Sequence, residues 1–233
     1  DYACVTMIGK KRKNNEDSVY AEHTKKGLIA IVADGMGGHS SGEIASKNAI
    51  AEIAKLKSFS ETGIVNVFAS ANNSVLESTD GGGTTAVALF IPFKPLSVEA
   101  IIAHVGDSRA YMIRGRQISR LTKDHSLVQE YVDKGMLTQE QADNSEHKNV
   151  ITKYVGDRRN YLPTIRVGKF KLNDTFILCS DGLTGELTDS DIYSIATSKR
   201  NSTSQQKANA LAESANNHGG KDNITVLIVR ITA

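Results

Sequence analysis

Only three of the 233 residues are proline, two are cysteine, and no low-complexity tract interrupts the chain. So little proline and bias argues against a long disordered linker. Cys4 and Cys179 stand far apart in apolar runs. That spacing excludes a disulfide framework or metal finger and predicts two buried free thiols. Scarce cysteine points to a reducing compartment, and the cytoplasm is the expected location. No apolar run approaches the ~20 residues of a membrane-spanning helix. No signal peptide is visible, so no membrane is expected in this segment. The chain opens on Asp1 rather than Met, which leaves room for an anchor or further domain outside it. An excess of one charge is also lacking: 28 Lys and Arg stand against 26 Asp and Glu, for a net charge of +2. That balance gives no ground for nucleic-acid or anionic-membrane binding. The densest basic run, Lys10-Lys11-Arg12-Lys13, reads by itself as a solvated loop or an interaction patch.

What is present is ordinary for a globular protein: 39% hydrophobic and 23% charged residues. The chain is long enough to bury most of its surface. Tyr2–Ile8, Ser18–His23 and Leu28–Ala33 read as strands. Helices are predicted over about Gly42–Leu56 and Glu61–Leu76 from apolar residues at helical spacing. A β-rich block follows at Thr84–Phe90, Val98–Val105, Ala110–Arg114 and Gln117–Leu121, with a hairpin turn at Arg114-Gly115-Arg116. Ser126–Lys134 and Thr138–Ala142 look helical, with Gly135 as a stop between them. Strands return at Leu162–Phe170 and Thr175–Cys179. Helices at Asp189–Thr197 and Ser204–Asn216 precede a last strand at Thr225–Ile231. This order is not a regular βαβ alternation. It suits one domain, spanning 1–233, of antiparallel sheets with helices packed outside.

The acidic residues are informative because of where they fall. Asp17 opens a predicted strand, and Asp34 ends the run Ile29–Ala33 and precedes Gly35. Asp107 lies between two strands, Asp181 ends Phe176–Cys179 and precedes Gly182, and Asp222 comes just before the last strand. Carboxylates at strand ends can converge at one edge of a core, and clustered carboxylates repel unless a cation neutralises them. Hard oxygen donors without a His/Cys cluster favour magnesium or manganese. Asp-Gly is also a common turn signal, so any one of these sites has a purely local reading. Arg12 adds a group that can hold a phosphate by two hydrogen bonds. Carboxylate-held metals beside an arginine make a site for phosphoryl hydrolysis.

These residues resemble the PPM family, the type 2C metal-dependent protein phosphatases, and most closely its bacterial branch. The resemblance runs in order along nearly the whole chain. Arg12-Lys13-Asn14-Asn15-Glu16-Asp17 is similar to the opening motif, and Ala33-Asp34-Gly35-Met36-Gly37-Gly38-His39 with Gly42-Glu43 to the second. Gly83-Thr84-Thr85, Val105-Gly106-Asp107-Ser108-Arg109 and Leu121-Thr122-Lys123-Asp124-His125-Ser126 follow. Asn149-Val150-Ile151-Thr152, Cys179-Ser180-Asp181-Gly182-Leu183 and Asp222-Asn223-Ile224-Thr225 complete the series. The resemblance implies an α+β fold, a four-layer αββα sandwich with two central antiparallel sheets, and a flap at about 126–148. It implies that Asp34 bridges two Mn²⁺ or Mg²⁺ ions and that the Gly35 carbonyl binds one. Asp17, Asp181 and Asp222 complete the pair, with Glu16 acting through water, and Asp107 with Asp181 holds a third, weaker ion. Arg12 holds the substrate phosphate, and the metal-bridging water attacks phosphorus directly.

One departure concerns the proton donor. Met36 stands where eukaryotic members have a histidine, as in bacterial members. His39 is expected to touch substrate or support the site, with proton donation a minor reading. The acid for the leaving oxygen then falls to metal-bound water. His104 reads as a core residue, His125 borders the flap, and His23, His147 and His218 are expected to be exposed, as are Lys10, Lys11 and Lys13. The expected activity is hydrolysis of phosphoserine and phosphothreonine in proteins by a monomer that opposes a Ser/Thr kinase. The competing readings are a pseudophosphatase serving as a binding module, which would have lost ligands that are all here, and an enzyme dedicated to a phosphorylated anti-sigma antagonist.

Overall fold

The computed structural model describes residues 1–37, 40–93, 99–200 and 202–232. His39 and Val98 therefore lie outside the described residues. The elements in order are β1 Tyr2–Met7, β2 Asp17–Thr24, β3 Gly27–Met36, α1 Ser40–Ile53, α2 Glu61–Ser78, β4 Gly83–Thr84, β5 Ala86–Pro92 and β6 Glu99–Val105. There follow β7 Arg109–Arg114, β8 Gln117–Arg120, α3 Leu127–Asp133, α4 Gln139–Asp143, β9 Thr164–Lys169 and β10 Thr175–Cys179. The chain closes with α5 Asp181–Thr184, α6 Asp189–Thr197, α7 Ser204–His218 and β11 Ile224–Arg230.

Two antiparallel sheets form, one in the order β1-β11-β10-β7-β8 and one in the order β2-β3-β5-β6-β9, with the short β4 paired to β3. The period-two alternation of strand side chains explains the layering. Leu28, Ala30 and Val32 of β3 meet Phe176 and Leu178 of β10 and Leu227 and Val229 of β11 between the sheets. The alternate residues Ile29, Ile31 and Ala33 turn the other way and pack under α1 and α2. On the first sheet, Ile177, Cys179, Val226 and Ile228 pack under α6 and α7. Both faces of each sheet are therefore buried, and the result is the expected αββα order.

The differences from expectation are local. β3 does not stop at Ala33: it runs through Asp34 to Met36, because Gly35 and Met36 find new partners in Thr84 and Gly83 after β5 diverges. The predicted strand 84–90 is accordingly two, β4 and β5. The helix expected over 42–56 starts two residues earlier and ends at Ile53. Cys4, expected to be buried, is exposed on the edge strand β1, whereas Cys179 is buried; both are free thiols. Among the described residues no helix is long and apolar enough to cross a membrane.

Candidate active site

Antiparallel pairing does the gathering. In the first sheet Cys179 pairs with both Arg109 and Val226. Asp107 and Asp181, each two residues beyond such a position, and Asp222, four residues before Val226, therefore lie at one end. In the second sheet Asp17 pairs directly with Asp34. Ser180 joins the sheets, its hydroxyl donating to Asp17 Oδ2 at 2.8 Å. Asn223 clamps the loops above: its side-chain amide donates to the carbonyls of Ile8 and Asn14, both at 2.9 Å, and its Oδ1 accepts from the Glu16 N–H at 2.8 Å. Asp34 is held by its backbone, its N–H donating to Thr85 Oγ1 at 3.0 Å and its carbonyl accepting from Thr84 Oγ1 at 2.9 Å.

The electrostatics are those of charge packed without compensation. Burial first, then neighbouring carboxylates, push Asp34 and Asp107 well above the usual carboxylate range. Burial pushes Asp17 up to about 7, and burial followed by Asp222 pushes Asp181 up to about 6. The Asp34 carboxyl lies against that of Asp181, and this contact partly offsets the rise at Asp181. One oxygen each of Asp17, Asp107 and Asp181 is buried with no hydrogen-bond partner. Such orphaned acceptors are costly unless something satisfies them.

Arg12 reaches the cluster from the opening loop. It is half exposed, and its Nη2 donates to Asp222 Oδ2 at 2.5 Å. Burial alone would lower its pKa, but attraction to Asp222, Asp181 and Asp34 outweighs that and raises it. Lys10, Lys11 and Lys13 are exposed, as expected. Glu16 and Gly35 are adjacent to the cluster: the Gly35 N–H donates to the Glu16 carbonyl at 3.2 Å. A Cβ on Gly42 would lie 2.3 Å from Glu16 Oε2, so glycine there leaves space for that carboxylate. Among the described residues no three of these side chains are drawn into a ready-made metal cage. Asp222 is held by Arg12, and Asp34 lies against Asp181. The donor set still fits hard divalent ions, because it is all oxygen, several of its oxygens are orphaned, and its charges repel one another.

Beside the cluster lies a cleft of about 560 Å³ between α3 and α4 on one side and residues 184–190 on the other, with Asp107 and Asp181 on its lining. The structure thus brings together Arg12, Glu16, Asp17, Asp34, Gly35, Asp107, Asp181 and Asp222, while His39 falls outside the described residues. No role for Ser180, Asn223, Thr84 or Thr85 follows from sequence alone. The one available signal is that each stands beside an acidic residue or in a motif with one.

A family model described as Protein phosphatase 2C matches residues 6–130. The chain belongs to the protein phosphatase 2C family. It is 36% identical to Protein phosphatase PhpP of Streptococcus pneumoniae over 98% of this chain and 96% of the relative. A solved S. agalactiae serine/threonine phosphatase superposes with a TM-score of 0.90 at 34% identity, covering 99% of both chains. The catalytic domain of the serine/threonine protein phosphatase PstP, solved in complex with two manganese ions, superposes with a TM-score of 0.82 at 30% identity, covering 100% of this chain and 98% of that one. This protein phosphatase 2C member is a protein-serine/threonine phosphatase of bacterial type, from a metal-dependent family.

Proposed function

We propose that the enzyme hydrolyses phosphoserine and phosphothreonine in cytoplasmic proteins by direct attack of water on phosphorus, opposing a Ser/Thr protein kinase. The observation that carries this reading is the convergence of five aspartates, three with an orphaned oxygen, beneath the exposed face of Arg12. Asp17, Asp34, Asp181 and Asp222, with the Gly35 carbonyl and Glu16, would hold two manganese or magnesium ions, and Asp107 with Asp181 a third. Ions held there would supply an acidified water and offset charge on the phosphoryl oxygens. The manganese pair belongs to PstP as solved; the same choice of metal here is part of the proposal.

The chain's own groups do the rest. Asp34, central to the cluster, is the residue whose carboxylate would serve both ions. Arg12 is placed to exchange its hydrogen bond from Asp222 to a substrate phosphate once a cation satisfies Asp222, using the fork geometry that suits phosphoryl oxygens. His39 is proposed to contact the substrate. The test is phosphate release from phosphoserine and phosphothreonine peptides, with and without Mn²⁺, by the intact folded protein. Turnover that requires the metal is expected; its absence under all metal conditions would sink the reading.

A further inference from the structure

Two histidines outside the carboxylate cluster stack face to face. The rings of His104, on β6, and His125, just before α3, lie 4.6 Å apart at 12°. His104 is 2% exposed, and its Nε2 lies 2.8 Å from the Lys123 carbonyl. His125 makes a two-way link to Gly106: the Gly106 N–H donates to His125 Nδ1 at 3.1 Å, and the His125 N–H donates to the Gly106 carbonyl at 3.0 Å. A ring nitrogen that accepts an N–H carries no proton, so the tautomer is fixed with the proton on Nε2. That nitrogen faces Thr164 Oγ1 on β9 at 3.0 Å. Burial first, then His104, hold the imidazole down to about 3, which keeps Nδ1 an acceptor at neutral pH.

The same residue pins both ends of the segment that carries α3 and α4. The His125 carbonyl accepts from the Thr152 N–H at 2.8 Å, the Leu127 N–H donates to the Val150 carbonyl at 2.9 Å, and Ser126 bridges Ile151. On its other side His125 holds the peptide before Asp107. Gly106 has φ +107°, and a Cβ there would lie 2.6 Å from the Thr85 side chain. Thr85 in turn bonds Ser108 at 2.7 Å and the Asp34 N–H at 3.0 Å. Direct contacts thus run from the flap base through His125 and Gly106 to Thr85 and Asp34.

We propose that His125 is a positioning residue that couples the base of the flap to the Asp107 and Asp34 carboxylates. The inference rests on the metal-centre reading above. A residue that merely filled space would need only a ring against His104. Here a specific acceptor, Nδ1, sets the Gly106 peptide and so the direction from which Asp107 enters the site.

The whole chain is compared as His125→Asn, His125→Gln and His125→Phe. Asparagine puts an amide oxygen where Nδ1 stands, glutamine reaches instead to the place of Nε2, and phenylalanine keeps the stack without an acceptor. Mn²⁺ affinity is read by titration calorimetry, and amide exchange by NMR at residues 106, 126, 127 and 150–152. Glutamine and phenylalanine are expected to weaken Mn²⁺ binding by about three- to tenfold, less than a group bonded directly to a metal ligand. They should also speed exchange at Gly106 and the flap base together, and asparagine should restore both. Wild-type Mn²⁺ affinity and exchange in His125→Phe would overturn the proposal. So would His125→Asn failing as badly as His125→Phe, because restoring the acceptor would then restore nothing. If the last two variants do not fold, ¹⁵N shifts of His125 in the unaltered protein decide: an Nε2–H tautomer supports the link and a protonated Nδ1 overturns it. An unaltered protein that binds no Mn²⁺ would sink the metal reading instead, and the exchange comparison would then judge the link alone.

Discussion

The carboxylate cluster and the Arg109–Asp124 network border the same cleft, yet only one of them is in charge balance. Asp124 is clasped by Arg109, with Nε at 3.1 Å from both carboxylate oxygens and Nη2 at 2.7 Å, and Arg120 approaches it from the other side. Arg109 also donates to the Tyr111 hydroxyl at 3.3 Å, which donates to Asp189 at 2.9 Å. Among the described residues Asp17, Asp34, Asp107 and Asp181 form no ion pair with an arginine or lysine, and burial and mutual repulsion outweigh the distant pull of Arg12 and Arg109 and raise their pKa values. One set of buried charges completes itself with arginine and supports the fold. The other is short of positive charge, and the proposed function is placed there.

The largest effect should come from breaking the unbalanced set at its centre. Asp34→Asn is expected to cut phosphopeptide hydrolysis by at least about a hundredfold, the scale for losing a group that organises charge at a reaction centre. In the same variant without metal, the melting temperature should stay level or rise at neutral pH, since one of several repelling acids is gone. A variant that kept half its activity, or that melted far lower, would show that Asp34 belongs with the supporting charges. Asp124→Asn should do the converse. Removing the shared anion leaves two partly buried arginines uncompensated, and a loss of about 3 kcal/mol in urea unfolding is expected, with or without Mn²⁺.

The next contrast is in pH and metal. Asp17 and Asp181 have folded pKa values of about 7 and about 6, above their ordinary value of 3.8. The folded state therefore binds more protons than the unfolded one between these values. The stability they contribute is full below about 4 and is lost as pH rises through 6 to 7. Metal-free protein should show this loss in thermal melts between pH 5 and 7.5, and Mn²⁺ should reverse it at the upper end. A metal-free melt unchanged across that window would place these acids in a balanced environment after all.

The two regions were not equally legible in the sequence. In the sequence each aspartate of the cluster falls at a predicted strand boundary, most beside glycine, so position and ordered motifs were enough to collect them. β10 and α6 fell where expected because their apolar patterns begin and end on clear signals. α5 was missed: four residues starting at Asp181 are too few to show a helical period, and the turn forms in the tertiary setting beside β11. The continuation of β3 through Asp34 depends on β4, two residues long, which no pattern marks. Cys4 looked buried because its neighbours are apolar, and only the edge position of β1 explains its exposure. The Ser180–Asp17 bond spans 163 residues and the His125–Gly106 link joins two loops. Hydrogen bonds of that kind leave no periodic trace.

The smallest expected effect separates the regions by sign. His125 has a folded pKa of about 3, far below its ordinary 6.5. Above 6.5 it is neutral in both states and adds no pH dependence. As pH falls below that value the unfolded chain takes up a proton that the folded one refuses, so stability is lost progressively toward pH 3. The carboxylates move the other way over most of that range, gaining stability as they are protonated. Subtracting His125→Asn, which removes the ring titration but keeps the acceptor, isolates the histidine contribution. Wild-type protein should lose more stability than the variant between pH 7 and 5 in matched melts without metal. The difference should be modest, because one partly exposed ring sets it. Parallel curves for the two proteins would mean that the ring takes up a proton as easily folded as unfolded. Nδ1 would then give up its hydrogen bond from Gly106 in the ordinary histidine range instead of keeping it as the pH falls toward 3.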